Sequence, residues 1–127
     1  ESLSTPIAVD LAEKLKNQKP GSVVVRRDLA ANPLPHIDDL FTAAIRKPAE
    51  ARTAEEIAAI KTSDELVNEL LAADTIVIST GLINFNIYSS LKTWIDNVAR
   101  AGLTFKYTET GPVGLVTGKK VYVVLTS

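Results

Sequence analysis

Two short runs of this chain, "TIVIST" at 75–80 and "VYVVLTS" at 121–127, carry β-branched or apolar residues at odd and even positions alike. A strand with one wet face alternates, whereas a strand covered on both faces has no polar parity, and such strands belong to parallel sheets. Between the two runs Leu91, Trp94, Ile95 and Val98 repeat at helical spacing from Ser89 or Ser90 to Ala101, and Gly102 is placed to end that helix in the left-handed conformation. Strand, helix, strand is the parallel crossover, so the chain reads as α/β, with helices on both faces of a doubly wound parallel sheet.

The rest of the chain extends this pattern. Ser4 followed by Pro6 reads as a helix start, with Ser4 as N-cap, and Ile7, Ala8, Leu11, Ala12 and Leu15 give that helix an apolar face up to "NQKPG". "SVVVRR" (22–27) reads as a strand that leaves through the proline-broken loop "ANPLPHIDD". A helix is expected around "DDLFTAAIRK", and a further helical region from Thr53 to Ala73, opened by the capping-box spacing "TAEE" and broken near Thr62 and Ser63. "LTFKYTETGPVGL" is extended and turn-rich. The first helix should itself leave an earlier strand, and Glu1 is no start residue. The expectation is one domain, 1–127, that is part of a longer chain, with the first and last strands of its sheet absent and with little stability alone.

Composition narrows the function. Fourteen basic and fifteen acidic residues leave a net charge of −1, which gives no electrostatic case for nucleic acid or an anionic membrane. No apolar run approaches the roughly 20 residues of a bilayer span, and the absence of cysteine removes disulfides, zinc–thiolate sites and thiol nucleophiles. A cytoplasmic protein is expected. His36 is the single histidine, in a loop between prolines, and no metal site is expected. Arg26 with Arg27 and Lys119 with Lys120 read as solubilising pairs, and Trp94 as core or interface. No serine triad or phosphate-binding P-loop motif is present.

Doubly wound sheets bind ligands beyond the carboxyl ends of their strands. Three segments fall there: "ESLS" before the first helix, "GLINFNIY" after "TIVIST", and the terminal "TS". Ser2 and Ser4 stand at a helix N-terminus, which suits a phosphate, although Ser4 as a simple cap explains the same residues. "GLINFNI" is too apolar for an ordinary surface loop. It suits a flat apolar ligand with a hydrogen-bonding edge, such as a flavin, with Asn84 as polar contact; burial against the protein or a partner subunit explains it equally.

The chain resembles the flavodoxin-like FMN-dependent NAD(P)H azoreductases, which also reduce quinones. The resemblance runs end to end and rests on "RDLAANPLP", "SDELVNELLAADTIVIST", the block "NFNIYSSLKTWIDNVARAGLTFKYTETGPVGLVTGKK" and the closing "LTS". It implies a flavodoxin-like sheet, FMN as cofactor, NADH or NADPH as donor, and a homodimer with its active site at the subunit boundary. It implies ping-pong chemistry, in which a hydride passes from the nicotinamide to the flavin, and a quinone or azo compound then takes two electrons. By the same resemblance Ser2, Leu3 and Ser4 match the end of the phosphate loop. Leu82, Ile83, Asn84 and Phe85 match the loop bordering the flavin ring, and Ser127 opens a turn completing the ring site. No side chain is assigned as a catalytic acid or base. The family loop usually reads proline, methionine, tyrosine, asparagine, phenylalanine; here Gly81, Leu82 and Ile83 replace the first three, and the tyrosine is lost. A flavodoxin-like one-electron carrier and a non-enzymatic binding domain are the alternative readings of the same fold.

Overall fold

A computed structural model describes residues 3–127. The first helix, α1 (Ser4–Gln18), is followed by α2 (Asp39–Arg46), α3 (Ala54–Ala59), α4 (Lys61–Ala72), strand β1 (Thr75–Ile83), the two-residue strand β2 (Asn86–Ile87), α5 (Ser89–Val98), the hairpin β3 (Phe105–Thr108) and β4 (Gly111–Gly114), and β5 (Lys120–Thr126). The parallel pair expected from the two β-branched runs is present, with β1 and β5 in register from Thr75 opposite Lys120 to Gly81 opposite Thr126. The sheet is mixed, in the order β2–β1–β5, because β2 folds back antiparallel on the end of β1.

Helix α1 packs on β1 and β5, and its direction can be read from an ion pair. Lys19, just past the carboxyl end of α1, lies 3.5 Å from Asp74, just before β1. At about 1.5 Å per residue a helix of 15 residues is some 22 Å long, comparable with the length of a strand such as β1. The helix therefore runs antiparallel to β1, and its amino end comes to the carboxyl end of that strand.

The other helices form their own apolar contacts. Phe41 and Ala44 of α2 pack on Ile60, with Ile45 beside them. Leu66 and Val67 of α4 meet Val98 of α5, and Leu34, Leu70 and Trp94 pack against them. Trp94 is thus a packing residue. The α3 start is the capping box read from "TAEE": Thr53 Oγ1 accepts from Glu56 N–H at 3.1 Å, and the Glu56 carboxylate accepts from Thr53 N–H at 2.9 Å. The helical region breaks at Ile60, slightly before Thr62.

Several expectations are corrected. "SVVVRR" forms no strand: it has no ladder partner among the described residues, and Val23 and Val25 are 84% and 66% exposed. A β-branched sequence favours extended backbone, but a strand needs a neighbour to accept its N–H groups. Ser4 is not the N-cap; Leu3 holds that position without a side-chain cap, and Ser4 is the first helical residue. Helix α5 stops at Val98 rather than Ala101, because the Thr104 hydroxyl takes the Val98 carbonyl at 2.6 Å and accepts from Arg100 N–H at 2.9 Å. Gly102, at φ +85°, serves the turn beyond. The covering expected on both faces of the second run is incomplete, since Val121, Val123 and Leu125 are exposed. Lys119 is more than a solubilising charge, for its ammonium donates to the carbonyls of Leu71 and Ala73 and closes the end of α4.

Candidate functional site

The apolar segment "GLINFNIY" is a tight β-hairpin rather than a loop. Strand β1 runs on through Gly81, Leu82 and Ile83, pairs Leu82 with Ile87 and Ile83 with Asn86, and turns on Asn84 and Phe85 alone. Both turn residues have positive φ, +52° and +63°, the geometry of a type I′ turn. Asparagine tolerates this conformation readily. A phenylalanine there is unusual, because its Cβ crowds the backbone, and the Phe85 ring lies fully in solvent.

The root of the hairpin is tied by hydrogen bonds. Buried Thr80 accepts from the Tyr88 N–H at 3.3 Å and donates to the Gly81 carbonyl at 2.7 Å. The Tyr88 carbonyl in turn accepts from Leu91 and Lys92 N–H, both at 3.1 Å, where α5 begins. Tyr88 is therefore fixed on both sides of its backbone. The Asn86 side chain accepts from Ile87 N–H at 2.8 Å. Leu82 and Ile83 are 40% and 59% exposed and, as neighbours in a strand, point to opposite faces, so the hairpin carries apolar surface on both sides.

The sequence-predicted site residues converge in part. Thr126 pairs with Gly81, which puts Ser127 next to the start of the hairpin. The antiparallel course of α1 brings Leu3 and buried Ser4 to the same end of the sheet. Leu3, Ser4, Leu82, Ile83, Asn84, Phe85 and Ser127 thus share the carboxyl edge of β1 and β5. Ser2 lies outside the described residues. His36 is exposed in its loop, beside a hollow of about 230 Å³ that it lines with Leu34, Ser89 and Thr93. Among the described residues no three His, Cys, Asp or Glu side chains are gathered as a metal site would need.

Tyr88 and Thr80 were not singled out by sequence reasoning, and neither was a buried polar cluster between α4 and α5. There Arg100, 3% exposed, donates to Ser63 Oγ and Asp64 Oδ1, both at 2.8 Å, while Ser63 donates to the Asn97 carbonyl. Asn97 reaches back to the Pro35 carbonyl at 3.1 Å and so holds the loop that precedes α2. A basic residue at the end of a helix looks like a surface charge in sequence, and only the fold reveals its partners.

Helix α1 lies across a parallel pair of strands, and a family model described as "Flavodoxin-like fold" matches residues 1–127. The chain belongs to the flavodoxin-like fold family. This flavodoxin-like chain is 93% identical over 127 residues to the FMN-dependent NADH:quinone oxidoreductase 1 of Rhizobium etli, and 91% identical to the FMN-dependent NADH:quinone oxidoreductase of Rhizobium leguminosarum bv. trifolii. It spans 62% of the length of each. Among solved structures it is similar to the azoreductase of Bacillus anthracis str. Sterne, with a TM-score of 0.81 and 34% identity over 98% of this chain and 63% of the other. An FMN-dependent NADH-azoreductase from Bacillus anthracis str. Ames Ancestor, solved in complex with FMN, gives a TM-score of 0.82 at 32% identity, over 98% of this chain and 60% of the other. No helix among the described residues is long and apolar enough to cross a membrane.

Proposed function

We propose that the protein of which these residues are part is an FMN-dependent NADH:quinone oxidoreductase that also reduces azo compounds. The observation that carries this reading is the arrival of the α1 amino end and the apolar hairpin at one edge of the sheet, in a chain 93% identical to a relative of that name. The residues present fit FMN. A helix end without a side-chain cap, carrying backbone N–H groups and a positive dipole, suits a phosphate. An apolar face of the hairpin suits an aromatic ring, and the backbone N–H groups of the turn at residues 84–85 with the Asn84 amide suit its polar edge.

On this reading Leu3 and Ser4, with Ser2 before them, would hold the phosphate through the first turn of α1. Leu82, Ile83, Asn84 and Phe85 would border the ring, and Ser127 would approach it from the end of β5. FMN, when bound, supplies the two-electron chemistry that side chains lack, so the absence of an acid–base pair is no obstacle. The hairpin's part is to exclude water and fix the plane in which donor and acceptor are presented, NADH first and the quinone or azo compound after it. An exposed Phe85 suits coverage by a second copy of the chain, in a cytoplasmic homodimer with each site at the subunit boundary.

The test is made on the full-length protein. The expected results are a yellow holoprotein, saturable quenching of FMN fluorescence by the apoprotein, parallel initial-rate lines for NADH against menadione, and a dimer by sedimentation. A colourless protein that takes up no FMN and leaves NADH and menadione unreacted overturns the proposal.

A further inference from the structure

Gly81 is buried at the root of the hairpin, and its α-carbon faces the ring of Tyr88. A Cβ built on Gly81 would overlap the Tyr88 hydroxyl, sit 2.5 Å from Cζ and 3.0 Å from Cε1. Its φ is not positive, so the glycine is not there for backbone freedom; it is there for space. The ring occupies the volume that any other residue at 81 would claim for its own side chain.

The two residues therefore read as one device. Gly81 leaves the space open, and Tyr88, arriving from the other limb of the hairpin, fills it with an aromatic ring and a phenol. Its backbone is held by Thr80 on one side and by α5 on the other, which fixes the point from which the ring projects. Tyr88 is 38% exposed, and among the described residues its hydroxyl makes no hydrogen bond. A phenol placed at the carboxyl end of a strand with unused donor capacity is a recognition group for a carbonyl oxygen.

We infer that Tyr88, seated against Gly81, is a specificity-determining residue of this site, donating its phenol to a planar aromatic ligand that carries carbonyl acceptors. This rests on the reading under Proposed function. Two ligands there have the required chemistry, the flavin ring and the quinone.

The test uses the full-length protein and three variants. Tyr88→Phe keeps the ring and removes the donor, so its melting temperature should match the parent. It should raise either the Kd of the apoprotein for FMN or the KM for menadione at saturating FMN by about threefold to tenfold, the worth of one neutral hydrogen bond. The titration assigns the contact to the flavin and the KM assigns it to the quinone. Gly81→Ala should displace the ring, lower the melting temperature and reproduce the affinity loss. Adding Tyr88→Ala to Gly81→Ala should recover part of that melting temperature, because the overlap is gone. A Tyr88→Phe protein with parental Kd and KM overturns the inference, as does a Gly81→Ala protein with parental melting temperature and affinity. Failure of the parent protein to bind FMN overturns the functional reading itself, and is seen before any variant is made.

Discussion

Arg100 and Ser63 form a hydrogen bond of 2.8 Å in which both side chains are almost fully buried, 3% and 1% exposed. The guanidinium joins α4 to the turn after α5 and shares its charge with Asp64, which is 44% exposed at the edge of the cluster. Replacing Arg100 by alanine leaves a cavity and frees the Ser63 and Asp64 oxygens, and should cost about 2 to 4 kcal/mol. Asp64→Asn keeps the shape and loses part of a solvent-screened pair, and should cost about 1 kcal/mol or less. Urea unfolding of the full-length protein measures both, and equal losses would contradict this division.

Glu56 gives the fold an acid-sensitive point. Its carboxylate accepts from the Thr53 backbone N–H and then from Lys47 Nζ at 2.9 Å, and these partners hold its pKa below the ordinary carboxylate value. A group with a lowered native pKa binds its proton more readily in the unfolded chain. Its stabilisation is thus complete above the unfolded value and is lost as pH falls through the lowered native one. Glu56→Gln should be less stable than the parent near neutrality, and should lose less on acidification between about pH 5 and pH 2. Melting temperature against pH for the two proteins measures this, and parallel curves would argue against it.

Phe85 pays for its exposure with backbone strain. Phe85→Gly relieves a left-handed phenylalanine and should stabilise the hairpin by about 1 kcal/mol. It also removes the most exposed part of the apolar wall, so FMN affinity or the KM for menadione should worsen. Thermal melting with an FMN titration separates the two effects, and a variant both less stable and unchanged in affinity would contradict the assignment.

The valines left uncovered at 23 and 25, with Val121, Val123 and Leu125 on β5, form apolar surface of the kind that recruits further structure. The 127 residues expressed alone should bind a hydrophobic dye such as anilinonaphthalene sulfonate and melt over a broad range. The full-length protein should do neither, and a sharp cooperative melt of the 127-residue chain would refute the expectation.

The parallel pair was legible in the sequence because Ile76, Val77, Ile78 and Val121, Tyr122, Val123 leave no polar parity, and the α3 start was legible because a capping box is written in four consecutive residues. Ladders and partners are not local. "SVVVRR" has the propensity of a strand and no neighbour to pair with, and Arg100 has the sequence setting of a surface charge with Ser63 and Asp64 more than thirty residues away. The candidate site was legible as a location, the carboxyl edge, but not in shape. A run of apolar residues reads as a loop when its two turn positions are Asn84 and Phe85 rather than the usual asparagine and glycine. Tyr88 escaped because its role depends on the side chain that Gly81 lacks.

A turn of only two residues has no slack. The wall that it makes cannot flap like a long lid, and any motion must pivot as one stiff tab about Thr80, Gly81 and Tyr88. Ligand entry past this hairpin should then follow diffusion and orientation rather than a slow closure, and exchange at the amides of Ile83 and Asn86 should be governed by opening of the whole tab at once.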